Sequence, residues 1–356
     1  MAFMHNRPIL FNQTGVILLV TLTVITMLLS LTFALNRQAR TVAETSGASD
    51  KRMVLLNMAE TGIQAGMAIL IQDKTASEID SIQEDWANPD RLNLLLADLP
   101  FDDGNLGLTI MDEQGKIQIN ALAIPPNGKQ FNGFQHQIWQ RLIDDISTGL
   151  NLDTDSDMIL NSLKDWMDFD DNDAVTGFSG AESDYYQKRI PPYPCKNLPV
   201  DHVSELLLIK GVTRQLFDGT DKTPGLARYV TAGPESLFPG QFGRININTA
   251  DLPVLSALLP PEKSHLAKEM IEYRSQKSQS GFVNDLSSPM WYKRIPGLSN
   301  VGIPSSHITV TSDIYRIRSK GVIDIFSLTV TVVVIREKDN RSGKYQCRII
   351  YRESDL

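Results

Sequence analysis

The chain has 356 residues, 42% of them hydrophobic and 21% charged, with a formal net charge of −8 at pH 7 and a pI near 5.2. That acidic balance is poorly suited to nucleic acid, whose phosphates draw basic patches. Two cysteines, Cys195 and Cys347, are too few for a disulfide framework and lack any C-x-x-C spacing for zinc or redox work; they read either as one bond or as two buried thiols.

No residue from Val16 to Leu35 is charged. At about 1.5 Å per residue this run makes roughly 30 Å of helix, enough to cross a bilayer core. A polar leader, Met1–Gly15, precedes it with His5 and Arg7. Three readings compete. A cleaved secretory signal has an apolar region of about 7–15 residues, shorter than this one, although Thr32 and Ala34 pass as its small-residue site. A plain signal anchor needs no glycine before the run. A prepilin has a short polar leader, a glycine, an apolar helix and an amphipathic continuation of that helix. The continuation favours the prepilin: no proline occurs from Asn36 to Asp73, and Leu55, Met58, Ile63, Met67 and Leu70 recur at helical spacing. Gly62 and Gly66 weaken this helix without ending it. Arg37 and Arg40 after the span, against Arg7 before it, do not set its orientation.

Residues 74–104 read as a loop-rich connection with a short helix near Leu92–Leu96. Leu106–Asn120 then reads as a hairpin about the turn Asp112-Glu-Gln-Gly115. At the far end Ile308–Val310, Tyr315–Lys320, Phe326–Ile335 and Tyr345–Tyr351 are rich in Val and Ile and read as strands, with Asp339–Gly343 as a turn. The intervening residues 122–300 are mostly helical in period. Within them lie two helical-hairpin modules, about 195–230 and 245–290. The first has a helix from Asp201 to Gly211; the second has helices Pro253–Leu259 and His265–Arg274. Strands, then helices, then strands predict an α+β fold. Residues 1–15 are the leader and 16–73 the transmembrane and spine helix. Residues 74–121 and 301–356 form a small antiparallel sheet domain, interrupted by an inserted α-helical domain at 122–300.

Several segments follow in order along the chain: Gly15-Val16, Ile119-Asn-Ala-Leu-Ala123, Asp165-Trp-Met-Asp-Phe-Asp170, Gly180-Ala-Glu-Ser-Asp-Tyr-Tyr186, Pro192-Tyr193, Asn197-Leu-Pro199, Glu205-Leu206, Lys210-Gly211 and Ile245-Asn-Ile-Asn-Thr249. Together they resemble the general secretion pathway protein K family, the large minor pseudopilin of type II secretion. The resemblance implies a structural subunit and not an enzyme, single-pass in the bacterial inner membrane with its body in the periplasm. It implies cleavage after Gly15 by a prepilin peptidase and methylation of the new N-terminus at Val16. It also implies assembly with minor pseudopilins I and J to initiate or cap the pseudopilus. Val20 stands at the fifth mature position, where most pseudopilins carry Glu; its absence resembles the K subunit and suits a subunit with nothing stacked above it. Thr14 departs from the basic residue that ends many leaders.

Between Asp144 and Asp184 twelve acidic residues face the single Lys164, an excess that repels unless solvated or bridged by a cation. Asp168, Asp170 and Asn172 occupy positions 1, 3 and 5 of an EF-like ligand pattern. Asp173 replaces the glycine and no Glu falls at position 12, so this is not an EF-hand. Hard oxygen ligands still point to calcium rather than zinc, with Glu182 closing the site from a later loop. Asp153, Asp155 and Asp157 read as a second site or as helix caps, and the whole stretch can equally be a solvated acidic loop. His5, His136, His202, His265 and His307 sit apart with no metal or triad spacing. Ser204-Glu205 beside His202 lacks a nucleophile elbow.

Two other classes share features. Ile245-Asn-Ile-Asn-Thr-Ala250, with Arg274 and Gly281-Phe282, resembles a helix-hairpin-helix DNA-binding module. Its hairpin Leu259–Ser264 has no glycine, however, and the basic and acidic residues over Arg244–Asp285 balance. A type IV pilus minor subunit shares the anchor but does not predict the large insertion.

Overall fold

The computed structural model describes residues 13–97, 101, 104–169, 175–238, 240–279 and 281–355, so residues 1–12 of the leader lie outside it. The chain divides into two compact units, Met1–Asn57 and Met58–Leu356.

The first unit is the N-terminal part of a 64-residue helix, α1, Gln13–Ala76. Gly15–Val42 has a mean hydropathy of 2.5 and exposes its side chains all round. Its hydroxyls turn back on the helix: Thr21 donates to the Leu18 carbonyl at 2.9 Å, Thr23 to Val20 at 2.8 Å and Thr32 to Leu28 at 2.8 Å. Such back-bonding satisfies polar side chains where lipid offers no partner.

In the second unit α1 buries Met58, Ala59, Ile63 and Leu70 against a four-stranded antiparallel sheet of order β1-β8-β9-β10. The strands are β1 (Asn105–Asp112), β8 (Ile314–Ile323), β9 (Phe326–Lys338) and β10 (Tyr345–Asp355). Three ladders of two-residue strands lie elsewhere: β2 (Ile117–Gln118) beside β3 (Val230–Thr231), β4 (Ile245–Asn246) beside β7 (Ile308–Thr309), and β5 (Lys277–Ser278) beside β6 (Gly281–Phe282). A Cβ at Gly62 would collide with the Ser319 hydroxyl, and one at Gly66 would stand 2.9 Å from Ile317 Cγ2. The two glycines, one turn apart, therefore let the helix backbone approach the sheet, which offsets their cost to helix propensity.

The hairpin expected at Leu106–Asn120 does not form. β1 pairs with β8, from Asn105↔Val322 to Asp112↔Tyr315, and β2 runs parallel to β3. The turn residues explain the difference. Asp112, Glu113 and Gln114 are buried and committed to distant partners, Asp112 to Asn246 and Thr249 at 2.9 and 2.6 Å. Likewise Ile308–Thr309 pairs with β4 instead of joining the large sheet. The other three C-terminal strands fall where their Val/Ile runs place them, each ending a few residues later than expected.

A short helix, α2 (Pro89–Leu96), precedes β1, and the insertion is built around α3 (Gly133–Leu150) and α4 (Ser156–Met167). Asn132 caps the first by accepting from Gln135 N, and Asn151 ends it in the left-handed region. Ile138, Trp139, Leu142, Ile143 and Ile146 of α3 share one hydrophobic core with Ile159, Leu160 and Leu163 of α4 and with Val254, Leu255 and Leu258. Of the two expected modules, the first is shorter than its period suggested and the second falls within two residues of the expected bounds. The first is a 3-10 turn, Val203–Leu208, and a helix, Arg214–Asp218; the second has helices Leu252–Leu258 and Ala267–Ser275. No disulfide joins the cysteines: Cys195 sits by the Asp165 carbonyl in the insertion, Cys347 by the Met67 carbonyl under the sheet.

Candidate metal centre

The last turn of α4 places Asp165 and Asp168 on one side of the helix, three residues apart. Asp165 is fully buried. Its carboxylate accepts from Thr176 N at 3.0 and 3.1 Å and from Ala181 N at 2.9 Å, drawing the 176–181 loop over the helix end. The loop fits only because Gly180 has no Cβ, which would overlap Asp165 Oδ2. Beyond it, Glu182 stands at the start of the short helix Ser183–Tyr186, also buried. One carboxylate oxygen from each of Asp165, Asp168 and Glu182 lies within 4.8 Å of the others.

A lysine stands beside the three buried carboxylates. Lys164 Nζ stands 3.2 Å from Asp168 Oδ2 and donates to Thr176 Oγ1 at 2.8 Å. Burial pushes the Asp165 carboxyl above its ordinary range, with the Thr176 donors and Lys164 pulling the other way. An all-oxygen, buried carboxylate set suits a hard divalent cation such as calcium or magnesium. Behind the site Trp166, Tyr186 and Tyr193 pack edge-on and stacked, with ring centroids 5.2–6.2 Å apart. Trp166 Nε1 reaches Glu205 at 3.4 Å, and Lys196 bridges Glu205 at 2.8 Å. The helix end is thus held from both sides.

Of the expected ligands, Asp168 and Glu182 come together; Asp170, Asn172 and Asp173 lie outside the described residues. Asp165 was not foreseen, because the alternating spacing drew attention to residues after 168. The readable signal was Asp165-x-x-Asp168 on one helical face. The second acidic run does not gather: Asp155 caps α4 by accepting from Met158 N at 2.9 Å, and Asp157 accepts from Gln140 Nε2 at 3.2 Å.

A second carboxylate triad, Asp73, Asp80 and Glu84, has equally close oxygens. Its cation is built in. Arg336, with no exposed side-chain surface, reaches Asp73 at 3.3 Å and pairs with Asp80, while Lys74 lies 3.4 Å from Asp80. Two of the histidines do structural work: His202 caps the 3-10 turn in a capping box with Glu205, and His307 stacks on Phe134 with ring centroids 4.1 Å apart. Arg274, which a DNA-binding hairpin would hold toward phosphate, is buried and donates to the Ile247 carbonyl at 3.0 Å.

A long apolar helix that runs onto a four-stranded sheet, with a helical body inserted between the first strand and the rest, defines a pilin-like α+β subunit with an insertion. The sequence profile described as Type II secretion system (T2SS), protein K, matches residues 115–235. The Aeromonas hydrophila type II secretion system protein K is 26% identical over 288 residues, covering 77% of this chain and 78% of that protein. The Klebsiella pneumoniae protein K is 25% identical over 302 residues, 79% and 81% of the two chains. In the crystal structure of the GspK-GspI-GspJ complex from enterotoxigenic Escherichia coli, a chain superposes with a TM-score of 0.63 at 19% identity, over 87% of this chain and 99% of that one, and so shares the fold. Over most of its length the chain is thus similar to type II secretion system protein K, and its fold is that of a chain in the GspK-GspI-GspJ complex.

Proposed function

We propose that the protein is a minor pseudopilin that helps to build the pseudopilus of a type II secretion system, as a structural subunit and not as an enzyme. What carries this reading is the family kinship across more than three quarters of the chain, on a body with the pilin-like fold. In this role the apolar run from Val16 to Leu35 spans the inner membrane and the body stands in the periplasm. A prepilin peptidase cleaves after Gly15, and Val16 becomes the methylated N-terminus. The related complex contains I and J subunits, and the corresponding minor pseudopilins are the partners of this body. A calcium ion is held by Asp168 and Glu182 with Asp165, and by Asp170, Asn172 and Asp173, which follow Asp168 in the sequence. Hard oxygens and a net negative, buried pocket support calcium over a softer metal. The buried Arg274 speaks against the DNA-binding alternative.

The test is the N-terminus of the membrane-bound protein by mass spectrometry, with and without prepilin peptidase, followed by co-purification with I and J subunits. A methylated chain beginning at Val16 that retains both partners is expected. An uncut chain in the presence of active peptidase, or a processed one that retains neither partner, refutes the assignment.

A further inference from the structure

The end of α1 sits in a cluster with more carboxylates than cations. Asp73 comes from α1, Asp80 and Glu84 from the segment after it, Asp112 from the end of β1, and Asp313 from the approach to β8. Asp112 and Asp313 both feel the charge of Asp80. Facing them are Arg336 of β9, with no exposed side-chain surface, and Lys74 of α1. Neutral groups complete the contacts. Tyr315 donates to Asp80 at 2.5 Å, Ser312 N donates to Asp80 at 2.8 Å, and Trp86 Nε1 donates to Glu84 at 3.0 Å. From the insertion, Asn246 Nδ2 donates both to the Asp80 carbonyl and to Asp112, at 3.0 and 2.9 Å, and Thr249 donates to Asp112. From β10 comes the Cys347 thiol, which burial pushes up to about 11 and keeps neutral. On the other side of the sheet Glu113 is already matched by Lys116 and Arg316.

Five carboxylates against two cations leave an excess of three negative charges if all ionise. In a buried site that excess is relieved by holding protons. Burial, then repulsion from Glu84 and Asp80, pushes Asp73 up to about 7, against the pull of Arg336; burial pushes Asp112 up to about 6. We propose that this cluster is a proton-linked fastening: folding takes up a proton, at Asp73 first, that the unfolded chain does not hold. The joint between helix end, sheet and insertion therefore tightens as the medium acidifies from about pH 8 to about pH 5. The sign follows from the folded value lying above the unfolded one. The native state binds more protons between the two, so stability falls as pH rises through that window and levels off above about pH 7.

The experiment uses the full chain in detergent micelles, unfolded by denaturant and followed by near-ultraviolet circular dichroism, for the wild type and Asp73→Asn. One extra bound proton raises the unfolding constant by up to about tenfold per pH unit between about pH 5 and 7. Asp73→Asn is expected to lose most of that slope and to match or exceed the wild type above about pH 7. A variant with the wild-type slope, weakened by the same factor at every pH, overturns the proposal and leaves Asp73 only as an acceptor for Arg336. Should the variant not fold, carboxyl carbon-13 titration of aspartates in the wild type decides. A midpoint above about pH 6 supports the fastening, and its absence overturns it.

Discussion

Replacing Gly62 by alanine adds one methyl group to the face of α1 that lies on the sheet. In an exposed helix the change would stabilise by about 1 kcal/mol, since glycine is the worse helix former. Here the new Cβ overlaps the hydroxyl of Ser319 and stands 3.2 Å from Leu106 Cδ1. Ser319 is fully buried on β8, in the middle of the sheet, so it cannot swing into solvent. Overpacking of this kind costs about 1–3 kcal/mol, which outweighs or at least cancels the helical gain. Removing the obstructing atom tests the cause. Ser319→Ala alone should change stability by less than about 1 kcal/mol, because it deletes one oxygen and leaves the strand intact. With the hydroxyl gone, the nearest atom to the new methyl on that residue is Ser319 Cβ at 3.1 Å, tight but accommodated by a few tenths of an ångström. Gly62→Ala in the Ser319→Ala background should then recover about 1–2 kcal/mol relative to its effect in the wild type. Denaturant unfolding of the four proteins gives this coupling. If Gly62→Ala is more stable than the wild type, or if Ser319→Ala fails to rescue it, the close helix–sheet contact is not what fixes a glycine at this position.

Two further outcomes follow from the charged sites. Chelation of divalent cations should lower the thermal midpoint of the body by several degrees, with calcium restoring it; Asp165→Asn should abolish the response while Asp155→Asn, which removes only a cap, should keep it. A chelator-insensitive midpoint would remove calcium from the assignment. Burial alone would raise Glu113, but Lys116 and Arg316 outweigh it and hold the carboxyl at about 2. Because the folded value lies below the unfolded one, its contribution, about 3 kcal/mol, is present above about pH 4.5 and lost as pH falls toward 2. Glu113→Gln should flatten the acid limb of the stability profile, and an unchanged limb would contradict the ion-pair account.

The anchor, the spine helix and the long C-terminal strands were legible because each carries its signal within its own residues: an uncharged run, a helical stripe, a Val/Ile run. What escaped the sequence was set by partners far along the chain. The turn Asp112-Glu-Gln-Gly115 has the composition of an exposed hairpin turn. Its side chains are instead buried against Asn246, Thr249, Thr231 and Arg316, which no local window contains. Gly62 and Gly66 read as helix weaknesses because propensity knows nothing of the sheet that uses their missing side chains. In the candidate site, the alternation of acidic residues pointed to Asp168, and the family-like segment Gly180-Ala-Glu182 pointed to Glu182. Asp165 was hidden inside a helix, where burial and backbone donors from residues 176–181, not spacing, give it its place.

The sheet is stitched from opposite ends of the chain, since Asp112 pairs with Tyr315 across the whole insertion. A tight hairpin brings strands together at once; here a loop of roughly 200 residues must close, at an extra entropic cost of about 3–4 kcal/mol by its logarithmic length dependence. The insertion removes most of that cost if it folds first, because β2 on β3 and then β4 on β7 bridge the span in two shorter steps before β1 meets β8. Such long-range pairing is slow, and it places the sheet late in folding. A nascent chain that has not yet delivered β8 leaves β1 with both edges open, the state in which strands pair with the wrong neighbour.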